Sequence, residues 1–179
     1  VRAAALAESL FGAGRGLEHF LYVTVGTGIS HTFVQGGRPF AGARGNALVF
    51  ASSTYTFYDQ AQPQKHLPLE DFSSGPAIVR RYNERTRKTL THGAEVVTAA
   101  EHGDAVARFV IESSGAALGV GVGWLVNVLD PHAVIVGGGL GVSGGLYWQA
   151  FERTAREHIW ADATRTLPIQ RAALGEDAG

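Results

Sequence analysis

An apolar run that stops at two glycines is the feature that most constrains how this chain can fold. Residues 20–30 read Phe-Leu-Tyr-Val-Thr-Val-Gly-Thr-Gly-Ile-Ser, and the β-branched and aromatic residues before the glycines predict a buried strand. Gly26 and Gly28 allow a tight turn whose backbone N–H groups converge on an anion, with the Thr27 hydroxyl as a further donor. The alternative is a plain hairpin turn into a strand at residues 32–34, and the tripeptide alone favours that alternative.

A second predicted strand also ends in glycines. Residues 133–136 are apolar and lead directly into Gly137, Gly138 and Gly139, after which residues 146–159 resume helical periodicity. This order is typical of α/β proteins, whose ligands bind at the carboxyl ends of the strands. Because two such turns resemble the two halves of a nucleotide cleft, phosphate binding and a purely structural turn become equally good interpretations.

Other segments predict helices around these strands. Residues 2–11 are rich in alanine and leucine, and a serine followed by an early proline marks a helix start at residues 73–76. Residues 93–100 form a short helical segment. The longest predicted helix covers residues 105–129, and its glycines indicate close packing against a sheet. Residues 59–68 have the composition of an exposed loop.

A basic cluster follows the helix start at residues 73–76. It consists of Arg80, Arg81, Arg85, Arg87 and Lys88. A phosphate or nucleic-acid contact is one interpretation, but a solvated helix end whose cations complement the helix dipole is favoured. The whole chain has Lys+Arg 15 against Asp+Glu 16 and a formal net charge of −1, so no nucleic-acid partner is expected.

Length and composition predict one soluble domain. The chain has 179 residues and is 45% hydrophobic, which is enough for an ordinary core, and its lack of cysteine excludes disulfides and thiolate metal sites. The apolar stretch 1–11 is interrupted by Arg2 and Glu8 and has neither the length of a membrane span nor the basic start of a signal peptide. We therefore expect a cytoplasmic protein with no membrane contact. The missing initiator methionine predicts a longer polypeptide.

Five segments, in order, resemble the ROK group of sugar kinases, open reading frames and repressors, within the actin-like ATPase superfamily. ESLFGAGRG (8–16) resembles the segment after the family's catalytic aspartate, and VTVGTGI (23–29) resembles its second phosphate motif. EDFSSGPAI (70–78) resembles its Glu-x-x-x-Ser-Gly segment. LDP followed by IVGGG (129–139) resembles its adenosine-side motif, and LGEDAG (174–179) resembles its C-terminal stretch.

The resemblance implies a ribonuclease-H-like α/β fold of the actin-like ATPase type, with a mixed sheet flanked by helices. It implies that residues 1–179 are a single domain, the C-terminal lobe, and that the other lobe lies upstream. The implied activity is ATP-dependent phosphorylation of a hexose hydroxyl, with ATP and Mg²⁺ as cofactors. A homodimer is the implied assembly.

The same resemblance assigns roles to individual residues. The first turn (residues 26–28) would cradle phosphates, and the second turn (residues 137–139) would let the adenosine lie close to backbone. Glu70 would accept hydrogen bonds from sugar hydroxyls, although the residue by itself favours an ordinary exposed carboxylate. The general base would be the residue before Val1, so no catalytic residue is expected within this chain.

Two motifs of the family are missing. Its Glu-x-Gly-His signature falls on residues 49–52, which read Val-Phe-Ala-Ser, and these side chains offer neither the carboxylate nor the imidazole. Pro68 stands where the family's zinc loop has its last cysteine, so no zinc is expected, and His66 and Asp59 are predicted to be solvated. The sugar side of the site is therefore predicted to be altered.

Three functions remain open from the sequence. The favoured one is the C-terminal part of a ROK sugar kinase; the second is a sugar-responsive regulator whose DNA-binding domain lies upstream. The third is a degenerate member kept for oligomerisation or partner binding. Retention of both turns and Glu70 favours nucleotide binding, whereas loss of the Glu-x-Gly-His residues favours a changed substrate or lost chemistry. Which sugar would bind is not specified.

Overall fold

A five-stranded mixed sheet lies between two layers of helices in the computed structural model, which describes residues 1–59 and 62–175. The sheet strands are β1 (His19–Val25), β2 (Ile29–Gln35), β3 (Arg38–Pro39), β6 (Ala133–Gly137) and β7 (Ile169–Arg171), and β4 (Thr54–Asp59) pairs with β5 (Gln62–Pro68) in a separate hairpin. The helices are α1 (Arg2–Phe11), α2 (Glu70–Ser73), α3 (Gly75–Thr86), α4 (Gly93–Glu101), α5 (Ala105–Leu129), α6 (Gly139–Ser143), α7 (Gly145–His158) and α8 (Asp162–Arg165).

The order of the strands places both glycine turns at one edge of the sheet. The order is β3-β2-β1-β6-β7, in which β1 pairs antiparallel with β2 and parallel with β6. Since parallel strands end at the same edge, Thr24 near the end of β1 lies opposite Gly137 at the end of β6. The predicted α/β class and the predicted bounds of α1 and α5 are confirmed.

Alternation along β1 divides the core into two halves. Leu21, Val23 and Val25 belong to the larger cluster, which also contains buried residues of α3, α5 and α7. Phe20 and Tyr22 point to the other face and pack in a cluster with α1. All five side chains are at most 2% exposed. A strand covered on both faces explains why the sequence shows an unbroken apolar run.

The face of the long helix α5 that carries its glycines packs against another helix. The prediction that this face packs against the sheet is therefore wrong. A Cβ atom added to Gly119 would lie 2.6 Å from the Phe151 carbonyl oxygen and 2.8 Å from the Ala155 nitrogen, both on α7. Glycine therefore allows the two backbones to approach closely. The length and hydropathy of α5 would suit a membrane span, but 56% of its apolar window is buried, as in the core helix of a soluble protein.

Residues 59–68 were predicted as an exposed loop, but residue 59 belongs to β4 and residues 62–68 form β5, while residues 60 and 61 lie outside the described part of the chain. Tyr55 pairs with Leu67 across the two strands, and the Tyr55 ring stacks on Trp124 of α5 with a centroid distance of 5.7 Å. This stack attaches the hairpin to the core, so the β propensity of the aromatic and threonine residues of β4 prevails over the loop-like composition of β5. His66 is exposed, as predicted.

The prediction of a solvated basic cluster is wrong for Arg81. Its side chain is buried between α3 and α5, with the guanidinium 3.6 Å from the centroid of the Phe72 ring. Nη1 donates to Ser114 Oγ at 2.6 Å and to the Phe72 carbonyl at 3.1 Å, and Nη2 donates to Ser113 Oγ at 2.7 Å. Burial lowers the pKa of Arg81 to about 10. Arg81 therefore ties α3 to α5, whereas Arg80 is exposed.

Candidate functional site

The two glycine turns lie side by side at the carboxyl edge of β1 and β6. A Cβ atom on Gly138, whose φ is 80°, would overlap the Val25 carbonyl oxygen, so the two backbones touch at this point. A Cβ atom on Gly26 would meet only the Gly139 nitrogen, at 3.9 Å, and one on Gly139 would meet nothing within 4 Å. The turns therefore present bare backbone to the space above them.

Helix α3 begins at the first turn. The Gly75 N–H donates to the Gly26 carbonyl at 2.9 Å, and Ser74 caps the helix by accepting from the Ala77 N–H at 3.4 Å. Pro76 occupies the early position that the sequence predicted, where a missing N–H costs nothing. The positive end of the α3 dipole thus adjoins the turn, which favours an anion there.

Two cavities open on the turns. The large cavity, of about 1010 Å³, extends along α3 and α4, and the small cavity, of about 460 Å³, lies on the side of Glu70. Gly26, Thr27 and Gly139 line both cavities. The turns therefore form the junction of one bipartite cleft, with a mostly apolar compartment on one side and a smaller, more polar compartment on the other.

Glu70 is held against the first turn by one of its two oxygens. Oε2 accepts from the Ile29 N–H at 2.7 Å, and a Cβ atom on Gly28 would lie 2.7 Å from the same oxygen. Glycine at position 28 is therefore needed for the Glu70 carboxylate to approach the backbone of the first turn. Within residues 1–59 and 62–175, Oε1 has no hydrogen bond, and Glu70 is the one ionisable side chain lining the small cavity. Oε1 can thus accept from a ligand.

The structure brings six of the seven predicted site residues to the cleft. Those that line one or both cavities are Gly26, Thr27, Gly28, Glu70, Gly138 and Gly139. Gly137 has a different position, because a Cβ atom there would overlap the Tyr22 hydroxyl on the α1 side of the sheet. Gly137 therefore allows close packing of Tyr22, and the binding roles of the other six stay predictions.

Sequence analysis missed the far wall of the large cavity. Asn83 of α3 donates to the Leu90 carbonyl at 2.8 Å and accepts from the Leu90 N–H at 3.0 Å. Glu95 Oε2 accepts from the N–H groups of Thr91 at 3.0 Å and His92 at 2.8 Å. These bonds fix the segment between α3 and α4. A glutamate three residues after a helix start is a recognisable capping signal, but no local pattern pairs Asn83 with Leu90.

The segment at residues 49–52 is packed through an aromatic side chain. The Phe50 ring meets the His31 ring edge-on at a centroid distance of 4.9 Å, and burial lowers the pKa of His31. Ser30 Oγ donates to the Leu48 carbonyl at 2.8 Å, which anchors the segment to β2. Neither Val49 nor Ser52 lines the large or small cavity. Phe50 and Ala51 therefore pack against the protein, whereas Val49 and Ser52 are exposed outside these two cavities.

The available donors do not fit a structural zinc ion. The chain has no cysteine, and its described part has no group of three or more His, Asp and Glu side chains that could hold a metal. Magnesium has different requirements, because it commonly keeps several waters and uses one or two carboxylates together with substrate phosphates. Glu70 is the one carboxylate among the described residues that line the small cavity, and the hydroxyl residues Thr24, Thr27 and Ser30 line it as well, so these oxygens suit such a cation.

Solved structures of ROK proteins have the same architecture as this chain. The ROK hexokinase from Thermus thermophilus superposes with a TM-score of 0.84 and 30% sequence identity, over 99% of this chain and 59% of that one. A ROK family glucokinase from Streptomyces griseus, in complex with glucose and AMPPNP, gives a TM-score of 0.79 and 26% identity, over 99% of this chain and 62% of that one. The fold is thus the mixed α/β fold of actin-like ATPases.

Sequence comparison gives the family. The family model described as "ROK family" matches residues 1–179, and the chain belongs to this family. The bifunctional enzyme NanE/NanK of Brucella suis is 31% identical over 179 residues, covering 99% of this chain and 32% of that protein. A putative xylose repressor of Caldicellulosiruptor is 28% identical over 189 residues, covering 98% of this chain and 47% of that protein. The chain therefore spans about a third to a half of these two relatives.

Proposed function

We propose that this chain is the nucleotide-binding lobe of an ATP-dependent sugar kinase that transfers a phosphoryl group to a hexose hydroxyl. The observation that carries the proposal is the meeting of the two glycine turns at the junction of two cavities. Gly26 and Gly139 leave space there that no side chain occupies. The relative solved with glucose and AMPPNP supports the same ligand classes.

Each part of the cleft has a role in this proposal. Phosphates lie on the backbone N–H groups of the first turn, beside the Thr27 hydroxyl and the start of α3. The nucleoside lies in the large, apolar cavity, and the sugar lies in the small cavity with a hydroxyl donating to Glu70 Oε1. A bound Mg²⁺ would neutralise phosphate charge. Phosphoryl transfer depends mainly on such positioning, and we propose that the proton acceptor belongs to the upstream part of the kinase.

Thermal unfolding with nucleotides tests the proposal. ATP at about ten times its Kd stabilises a folded protein by about 1.4 kcal/mol, which corresponds to a rise of about 3–6 °C in Tm for a chain of this size. We expect ATP and AMPPNP to raise the Tm and sodium chloride at equal ionic strength not to do so. The same Tm with and without ATP, at millimolar ATP, would count against a nucleotide site.

Glu70→Gln separates the two roles of this side chain. The glutamine carbonyl oxygen can still accept from the Ile29 N–H, so we expect a Tm close to that of the wild type. Its second polar atom becomes an N–H donor instead of a charged acceptor, so hexose affinity measured by calorimetry should fall about tenfold. Glu70→Ala removes both interactions and should also lower the Tm. Hexose affinity that is unchanged in Glu70→Gln would remove Glu70 from the sugar site.

The relative named as a repressor, together with the segment at residues 49–52, favours a second candidate function. In a sugar-responsive regulator the same cleft would bind a ligand without turnover, and the absence of Val49 and Ser52 from the cavities is compatible with that role. The complete polypeptide distinguishes the two. Hexose-dependent ADP release identifies a kinase, whereas sugar-dependent DNA binding without ADP release identifies a regulator.

A further inference from the structure

We propose that Arg80 supplies the positive charge that holds the nucleotide phosphates at the junction of the two cavities; this inference rests on the proposed nucleotide site. The basic cluster on α3 contributes one exposed arginine to the cleft. Arg80 lines the large cavity together with Gly26 and Thr27, whereas Arg81 is buried against α5. Among the residues that line this cavity in the described part of the chain, Arg80 is the one lysine or arginine.

The direction of α3 brings the Arg80 side chain towards the first turn. The helix starts at Gly75, whose N–H is bonded to Gly26, and Arg80 follows about 7.5 Å further along the axis. Helical side chains lean back towards the N-terminus, and the hydrogen bond from Arg80 Nη2 to the Asp71 carbonyl shows that this one does so. The guanidinium therefore lies near the start of α3, at the boundary between the large cavity and a second cavity lined by Asp71 and Arg85, and it has further N–H donors beyond the one that Asp71 engages.

Charges along the cavity run from positive to negative. At the start of α3 the Gly75 and Ala77 N–H groups are already hydrogen-bonded and Pro76 has none, so the positive charge comes from the helix dipole and Arg80. Asn83 and Glu84 line the cavity one turn later. Such an order suits a ligand with an anionic end at the turn and a neutral, polar end near Asn83, which is the charge pattern of a nucleoside polyphosphate. The carboxylate of Glu70 beside the first turn would repel a phosphate bound there, and a positive charge from Arg80 would offset that repulsion.

Calorimetric titration of the protein with ATP, ADP and adenosine tests the proposal. In Arg80→Gln we expect ATP affinity to fall about 10- to 100-fold, the usual effect of losing hydrogen bonds to a charged group. Adenosine affinity should stay within about twofold, because adenosine carries no phosphate. Arg80→Lys should retain part of the ATP affinity, because lysine still supplies a positive point charge to a phosphate. The matched control is Arg153→Gln, which removes the same charge from an exposed position on α7.

The possible outcomes separate the two proposals. ATP binding in Arg80→Gln equal to that of the wild type overturns the role of Arg80 and leaves the nucleotide site intact. An equal loss of ATP and adenosine affinity also overturns it, because the effect would not depend on phosphate. If the wild type binds neither ATP nor adenosine, both the nucleotide site and the role of Arg80 are overturned. A selective loss of ATP and ADP affinity, absent from Arg153→Gln, supports it.

Discussion

Replacing Gly139 by valine is expected to abolish nucleotide binding while the protein stays folded. The backbone at this position needs no positive φ, and an added Cβ atom meets nothing within 4 Å, so the side chain causes no strain. Its three carbon atoms would instead fill the junction of the large and small cavities. We expect the ATP affinity measured by calorimetry to fall at least about 100-fold, since overlap at the phosphate position cannot be relieved by a small shift of the ligand.

Two further variants make this result specific. Gly138→Val would overlap the Val25 carbonyl and force valine into a left-handed conformation, so it should lower the Tm strongly, and its loss of binding would not be informative. Gln149→Val adds the same side chain to an exposed position of α7 and should leave ATP affinity unchanged. Normal ATP affinity in Gly139→Val would show that nucleotide does not occupy the junction.

Gly119→Ala is expected to destabilise the protein, although alanine is intrinsically better in a helix. Helix propensity alone would stabilise α5 by about 1 kcal/mol. The added methyl group, however, would lie 2.6 Å from the Phe151 carbonyl oxygen, and a backbone atom cannot rotate away as a side chain can. We expect a net loss of about 2 kcal/mol, as in overpacked cores, and a fall in Tm of about 4–8 °C.

Gly93→Ala is the matched control for this measurement. Gly93 is the first residue of α4, has no positive φ, and an added Cβ atom there meets nothing within 4 Å. The same chemical change should therefore leave the Tm unchanged or raise it slightly. If Gly119→Ala and Gly93→Ala have equal Tm values, close backbone packing between α5 and α7 is not what position 119 requires.

Local patterns were sufficient for the elements that carry the candidate site. The apolar run before Gly26 predicted β1, and the serine and proline near Gly75 predicted the start of α3. The adjacency of the two turns followed from the expectation of an α/β protein, in which strand ends share one edge. These features depend on neighbouring residues or on a general rule of topology, so one sequence contains enough information for them.

Features that depend on distant partners could not be predicted. Tyr55 anchors the hairpin through Trp124, which follows it by 69 positions, and Arg81 is buried because Ser113 and Ser114 lie opposite it on α5. Nothing near Gly137 in the chain indicates that its open face accommodates Tyr22. In each case, the local sequence fits an exposed or ligand-facing residue equally well, and only the tertiary partner decides.

The hydrogen bond from the Gly75 N–H to the Gly26 carbonyl couples the position of α3 to that of the first turn. Helix α3 is attached to the first turn at its beginning and to α5 through Arg81 in its middle, so a displacement of the turn must also displace the helix pair. A ligand that displaced the first turn would therefore also act on the position of α3. In a phosphotransferase, this connection between the first turn, α3 and α5 could help the protein to close around its substrates. In a sugar-responsive repressor, the same connection could transmit ligand binding to another domain.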